Sequence, residues 1–403
     1  MTHTSENGSP ATGSTGEPEL PSMKTMFEMA GERFGVPTDV FANAVRRCTE
    51  TSPYPLLAPA VNHRLKVYLD LKDWVALAKA RLGRPEYPHD QVAYEMLRDT
   101  TLRGEVMVPL TFTTYLEVSR IASLRQRTDL TDVITEISGF VTIIGRSVFV
   151  EHQLHTALAS RFGGSAPAPI PVFGLGVSFA AGELGHMSIE GRDGTAPDLP
   201  AISVFNLETV CRTLCEYMML RGPDPSELEE LRALGYRPEE LEEIENQRVQ
   251  RERDLAERLR NGDAHLAQLG DIVHARQMYW ELDNALYAAL AHYGVGVEDF
   301  FAHGKEWLTA FLDDVPSAAV AMTLGEKNFR MSDRAWTGND IRDSDAMFAA
   351  VPYCDVVMTD KHVAAQLKRS PVVTRLGTHV LSRLRDLNDL LPGLIASRRG
   401  HAA

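Results

Sequence analysis

Acids that stand far apart along the chain have the types and places to do chemistry together. Asp70 ends the short apolar run Lys66-Val67-Tyr68-Leu69, and Asp360 ends another, in CDVVMTD. In parallel α/β sheets, ligand chemistry collects outside the carboxyl ends of the strands, so both acids fall where a site would form. Glu117 follows a third run, Glu105–Leu110, by about two helical turns, close enough to lean back over the same edge. Asp340 and Asp343 open a helix leading into the strand that Asp360 ends. Their i, i+3 spacing puts both carboxylates on one helix face, with Asn339 as its N-cap. Carboxylates gathered without basic partners repel, and they titrate abnormally unless a cation holds them. An oxygen-only set suits Mg²⁺ or Mn²⁺, which take a few carboxylates and keep waters for a substrate phosphate. Such an ion activates water and neutralises charge developing on a phosphodiester.

The elements that must position these acids follow from the pattern. Residues 66–70 lead straight into LKDWVALAKARLG, where Trp74, Leu77 and Ala78 repeat at helical spacing. A helix at DQVAYEMLRDT, a buried run at 105–110 and a helix start at TFTTYLEVSR follow. Alternating buried strand and helix predicts a parallel sheet covered on both faces. From about 125 to 325 the strand signal nearly vanishes. Within that stretch, 222–260 reads as a solvated helical arm with an acidic excess, and DIVHARQMYWELDNALYAALAHYG as one buried helix. The α/β pattern resumes near 339, with strands at CDVVMTD and THVLS and helices at KHVAAQLKR and LRDLNDLL. The expected organisation is a disordered tail over 1–22 and a helical N-terminal appendage over 23–64. A discontinuous α/β domain then takes 65–125 plus 335–392, split by a mainly helical insertion over 126–334.

The three blocks VYLDLKDW, VPLTFTTYLEVSR and GNDIRDSDAMFAAVPYCDVVMTDKH resemble the acidic blocks of PIN-like nuclease domains. That resemblance implies a parallel sheet flanked by helices and a cluster of three or four acids around Mg²⁺ or Mn²⁺. It also implies cleavage of single-stranded or structured RNA. Carried over by position, Asp70 matches the acid ending the first strand, Glu117 the second-block acid, Asp343 the helix-borne third and Asp360 the fourth. Asp340 is the competing third acid, and Asn339 and Thr359 are candidates to hydrogen-bond the acids or their waters. The insertion of about 200 residues between the second and third acids departs from compact members of the family. It is the natural place for substrate selection, a protein partner or a cover over the site.

Composition bounds the alternatives. A formal charge of −14 on 403 residues argues against broad nucleic-acid coating, so contact with RNA is expected to be local. No apolar stretch approaches the ~20 residues that span a bilayer, and the start MTHTSENGSP lacks a signal peptide's basic and apolar regions. Four cysteines make no disulfide framework, which fits a cytoplasmic protein. Cys211 and Cys215, one helical turn apart, read as buried structural thiols. His152 and His155 lack a third partner for zinc. Arg330, Arg334, Arg342 and Lys361 flank the acidic blocks and could hold phosphates, but ordinary exposed helix faces explain them better. Asp73 reads as a solvated helix residue. Asp345 and Asp355 read as structural or surface acids, and the aromatic pairs Tyr279-Trp280 and Phe300-Phe301 as core. The expected function is a divalent-metal-dependent endoribonuclease. A catalytically silent PIN-like binding or regulatory protein, or a nucleotide phosphohydrolase, would use the same residues.

Overall fold

The computed structural model describes residues 63–183, 201–262, 265–331 and 335–402; the expected tail over 1–22 and nearly all of the appendage over 23–64 lie outside them. Strands β1 (Leu65–Tyr68), β2 (Val106–Met107), β5 (Val356–Met358) and β6 (His379–Leu381) form one parallel sheet in the order β2-β1-β5-β6. The chain leaves β1 for one side and returns at β5 to build the other. The topological switch point therefore lies between β1 and β5, where open α/β sheets place their ligands.

The strands are short, β1, β2 and β5 are largely buried on both faces while His379 of β6 is exposed, and side-chain alternation divides the core in two. Leu65 and Val67 of β1 join Val356 and Met358 of β5 on one face, covered by Trp74, Leu77, Leu97 and Leu387. Those residues come from helices Leu71–Arg81, Pro88–Leu102 and Leu384–Ala402. Tyr68, Met107, Val357 and Val380 point the other way, into a cluster that runs on through Phe149, Leu286, Phe311 and Val320. The second face of the sheet thus belongs to a cluster shared by the segment 126–334 and by Ile341, Met347, Val363 and Leu367 of the helices around Asp343 and Asp360.

That segment also holds strands. β3 (Val141–Ile143) and β4 (Phe173–Leu175) pair antiparallel, and β3 bonds the chain beyond β2: Leu110 N donates to Val141 O at 2.8 Å and Ile143 N to Leu110 O at 2.8 Å. The helix Leu124–Ser138 turns into β3 through Gly139 and Phe140, both left-handed at φ 57° and 61°. Phe140 tolerates this because its ring is buried and its amide donates to Ser138 Oγ at 3.0 Å. Three-residue strands inside helical sequence carry too little alternation to be seen without coordinates.

Two further expectations change. The stretch expected as one helix over 271–294 is broken by a π-helical turn at Gln277–Glu281, which turns Tyr279 and Trp280 to solvent, although Phe300 is core. Cys211 is half-buried and Cys215 exposed, not buried thiols. The arm helix Pro238–Asn261 is largely solvated, as expected, but Val249, Glu252, Leu255 and Leu259 anchor its second half. Among the described residues no helix is long and apolar enough to cross a membrane.

Candidate active site

The acids assemble at the switch point. β1 and β5 pair with Val67 opposite Val356 and Tyr68 opposite Val357. Two residues further on, that register sets Asp70 level with Thr359, one residue short of Asp360, on strands about 4.8 Å apart. Each acid also starts the helix that leaves its strand. Asp70 Oδ1 accepts from Leu71 N at 2.8 Å, and Asp360 Oδ1 from Val363 N at 2.7 Å. Capping and site-building are compatible, because the cap engages one carboxylate oxygen of each.

Glu117 is carried by the helix Phe112–Ser119, which packs against the helix Gly338–Ala350 that carries Asp343. The charges of these acids reach one another. Burial lifts Glu117 to about 8, with the charges of Asp70 and Asp343 next in weight, and Arg342 and Arg120 opposing. Burial likewise raises Asp343 to about 7, aided by Asp70, Asp360 and Asp340. Asp70 rises for the same first reason, with Asp360 adding to it and Lys72 opposing. Desolvated carboxyls that disfavour one another's ionised forms are what a cation would relieve.

Asp340 behaves differently. The N-cap of its helix is Thr337, not Asn339, and Asp340 is the capping-box acid: its Oδ2 accepts from Thr337 N at 2.9 Å and Thr337 Oγ1 at 2.7 Å. Asn339 lies inside the helix and accepts a hydrogen bond from Arg342. Thr359 is buried and donates its amide to Leu381 O at 3.0 Å, tying the end of β5 to β6. Asp73 is not solvated; it is 4% exposed, bonded through both carboxylate oxygens to Lys72 Nζ at 2.7 Å, and raised to about 7 by burial first. Asp345 and Asp355 are structural, bound by Arg248 at 2.6 Å and by Arg398 at 2.7 Å.

Sequence reasoning missed the groups around the acids. Tyr68 is buried beside Asp70 and Glu117, and burial followed by those two charges drives its hydroxyl well above its ordinary value. Arg342 is no exposed helix-face residue. Its Nε lies 3.7 Å from Glu117 Oε1, and its Nη1 donates to Glu245 Oε1 at 2.5 Å. Arg120 Nη1 donates to Glu245 Oε2 at 2.6 Å. Arg120, i+3 from Glu117, was visible as a helical neighbour; Glu245 lies 125 residues away and no local signal announces it. Lys361 and Arg330 are exposed, as expected, and Arg334 lies outside the described residues.

As the side chains stand, no group of three or more His, Cys, Asp or Glu among the described residues is arranged to hold a metal ion. The donor set is nonetheless all oxygen and partly desolvated, the chemistry that hard divalent cations take. Fold and site define an α/β protein with a parallel sheet flanked by helices and an acidic cluster at its switch point. No protein-family model, curated protein or solved structure matches the chain.

Proposed function

We propose that this protein is a divalent-metal-dependent endoribonuclease of PIN-like type, with Asp70, Glu117, Asp343 and Asp360 as its catalytic and metal-holding acids. One observation carries it: four carboxylates from separate chain segments gather at the carboxyl edge of a parallel sheet at its switch point, where burial first, and then neighbouring acid charge, raises Asp70, Glu117 and Asp343. Bound Mg²⁺ or Mn²⁺ would supply an activated water and charge neutralisation at the scissile phosphate. Asp70 and Asp360 would hold the ion from fixed backbone positions, because each is locked as a helix N-cap. Glu117 and Asp343, on helices, would close it from the side, and buried Tyr68 would keep water from the floor.

Cleavage of single-stranded RNA with Mn²⁺, compared between wild type and Asp70→Asn, tests this directly. The substitution keeps the cap but removes the charge, and cleavage should fall by more than about 100-fold, beyond what outer-shell changes cost. Activity that survives it removes the mechanism. Thermal shift with Mn²⁺ gives a readout independent of turnover: wild type should be stabilised and Asp70→Asn much less.

A second reading has its own support. Arg342 already stands 3.7 Å from Glu117 and supplies positive charge to the cluster, which suits a silent binding or regulatory protein. Metal binding without cleavage of RNA, single-stranded DNA or nucleotides would favour it. Hydrolysis of nucleotides with no polymer cleavage would favour a phosphohydrolase.

A further inference from the structure

We infer that Arg120 and Arg342 form an anion subsite for a phosphate group of the substrate, and that Glu245 of the arm helix occupies this subsite in the free protein; the assignment rests on the acidic cluster being a phosphodiester-processing site. Glu245 reaches the site from the segment 126–334 and places one carboxylate oxygen on each guanidinium, Oε2 on Arg120 at 2.6 Å and Oε1 on Arg342 at 2.5 Å. A single carboxylate shared by two arginines mimics a phosphate monoanion in the same fork, since guanidinium groups match both anions.

Charge shows why the subsite is kept filled. Arg342 lies 3.7 Å from Glu117, so a phosphate held there sits beside the acids yet on positive charge. Four acids alone would repel an incoming phosphodiester; two arginines freed at their rim would receive it. Exchange of Glu245 for phosphate trades one monoanion for another. The arginines stay paired throughout, avoiding the cost of leaving a half-buried charge without a partner.

The arm is built to permit the exchange. Its second half is fixed by buried Val249, Leu255 and Leu259, by Arg248 on Asp345 at 2.6 Å and by Arg253 Nε on Trp336 O at 2.9 Å. Residues 237–244, which precede Glu245, are all exposed. Glu245 therefore sits where the anchored half gives way to the solvated half. It is seated over Gly338, at the start of the Asp343 helix, where an added Cβ would fall 2.1 Å from Glu245 Oε1. An added Cβ would also come within 3.2 Å of Arg342 Nη1, so the missing side chain leaves room for both the carboxylate and the guanidinium.

The test is titration of the full-length protein with inorganic phosphate, followed by calorimetry, for wild type, Glu245→Gln, Glu245→Ala, and Glu245→Gln combined with Arg120→Gln. Circular dichroism confirms that each is folded. Glu245→Gln and Glu245→Ala should each bind phosphate at least about 10-fold more tightly than wild type, and the added Arg120→Gln should return affinity to wild type or below. Equal phosphate affinity in wild type and both single variants overturns the subsite, even if RNA is cleaved with Mn²⁺ and Asp70→Asn abolishes that cleavage. Tightened phosphate binding without cleavage of any RNA keeps the subsite and removes the nuclease assignment instead.

Discussion

At the scale of single residues, the site is costly to the free protein, and the cost has a pH signature. Glu117 is held at about 8 against an ordinary 4.5, with burial the first cause. Below about pH 4.5 both folded and unfolded states carry the proton, and Glu117 contributes nothing. Between 4.5 and 8 the unfolded chain releases its proton while the folded state keeps it, so stability falls as pH rises through this window. Glu117→Gln removes the penalty. In chelator, the variant should match wild type at pH 4.5 and exceed it by about 2 kcal/mol at pH 8, under the ceiling of ~1.4 kcal/mol per pH unit. Asp343, held at about 7, should show the same sign over a narrower window. Saturating Mn²⁺ should reverse the order at pH 8, stabilising wild type and leaving Glu117→Gln behind. Urea unfolding at the two pH values, with and without the ion, reads all of this; a variant no more stable than wild type at pH 8 in chelator contradicts it.

At the scale of elements, the helix Gly338–Ala350 separates two acids that spacing alone cannot. Asp340 serves the capping box with Thr337 and Asp343 faces the other acids. Thr337→Ala should therefore cost about 1 kcal/mol of stability, as lost caps do, and leave Mn²⁺ affinity within about threefold. Asp343→Asn should lower Mn²⁺ affinity by more than about 10-fold. Calorimetric Mn²⁺ titration of the two variants decides which acid belongs to the site; a larger loss in Thr337→Ala would return Asp340 to it. The same helix shows what the sequence discloses and what it hides. Thr337 followed by Asp340 at the third position is a capping signature in plain view, with Asn339 a nearer but false candidate for the cap. Strands β1 and β5 were legible because apolar, β-branched runs end on acids that cap the next helix. β3 and β4, three residues each, were not, and neither was the burial of Asp73, which depends on helices that pack over it. Arg342 and Glu245 meet across 97 residues, and nothing local to either one specifies such a pair.

At the scale of the whole molecule, the long segment between the second and third acids is a wall of the site domain. Tyr68, Met107, Val357 and Val380 of the sheet share one apolar cluster with Phe149, Leu286, Phe311 and Val320 from 126–334 and with Ile341, Met347, Val363 and Leu367 of the helices beside the acids. β3 extends the sheet's edge through its bonds to Leu110, and Glu245 and Arg248 tie the arm to the helix that carries Asp343. Removing the segment would expose the apolar residues of this cluster that it covers, and each large core side chain left in water forfeits roughly 1.5–3 kcal/mol. A net stability of about 5–15 kcal/mol cannot absorb the loss of several at once. Replacing 126–334 with a short Gly-Ser linker should therefore give a chain without cooperative unfolding, not a compact working nuclease. In the intact protein, unfolding of the sheet and of the helical segment should coincide. A tryptophan probe at Trp74, on the opposite face, and one at Trp307, within the segment, should report the same urea midpoint once the other tryptophans are replaced by phenylalanine. Midpoints that separate would show two independent units. A shared midpoint makes the arm's position, and with it the seat of Glu245 on Arg120 and Arg342, a property of the folded whole.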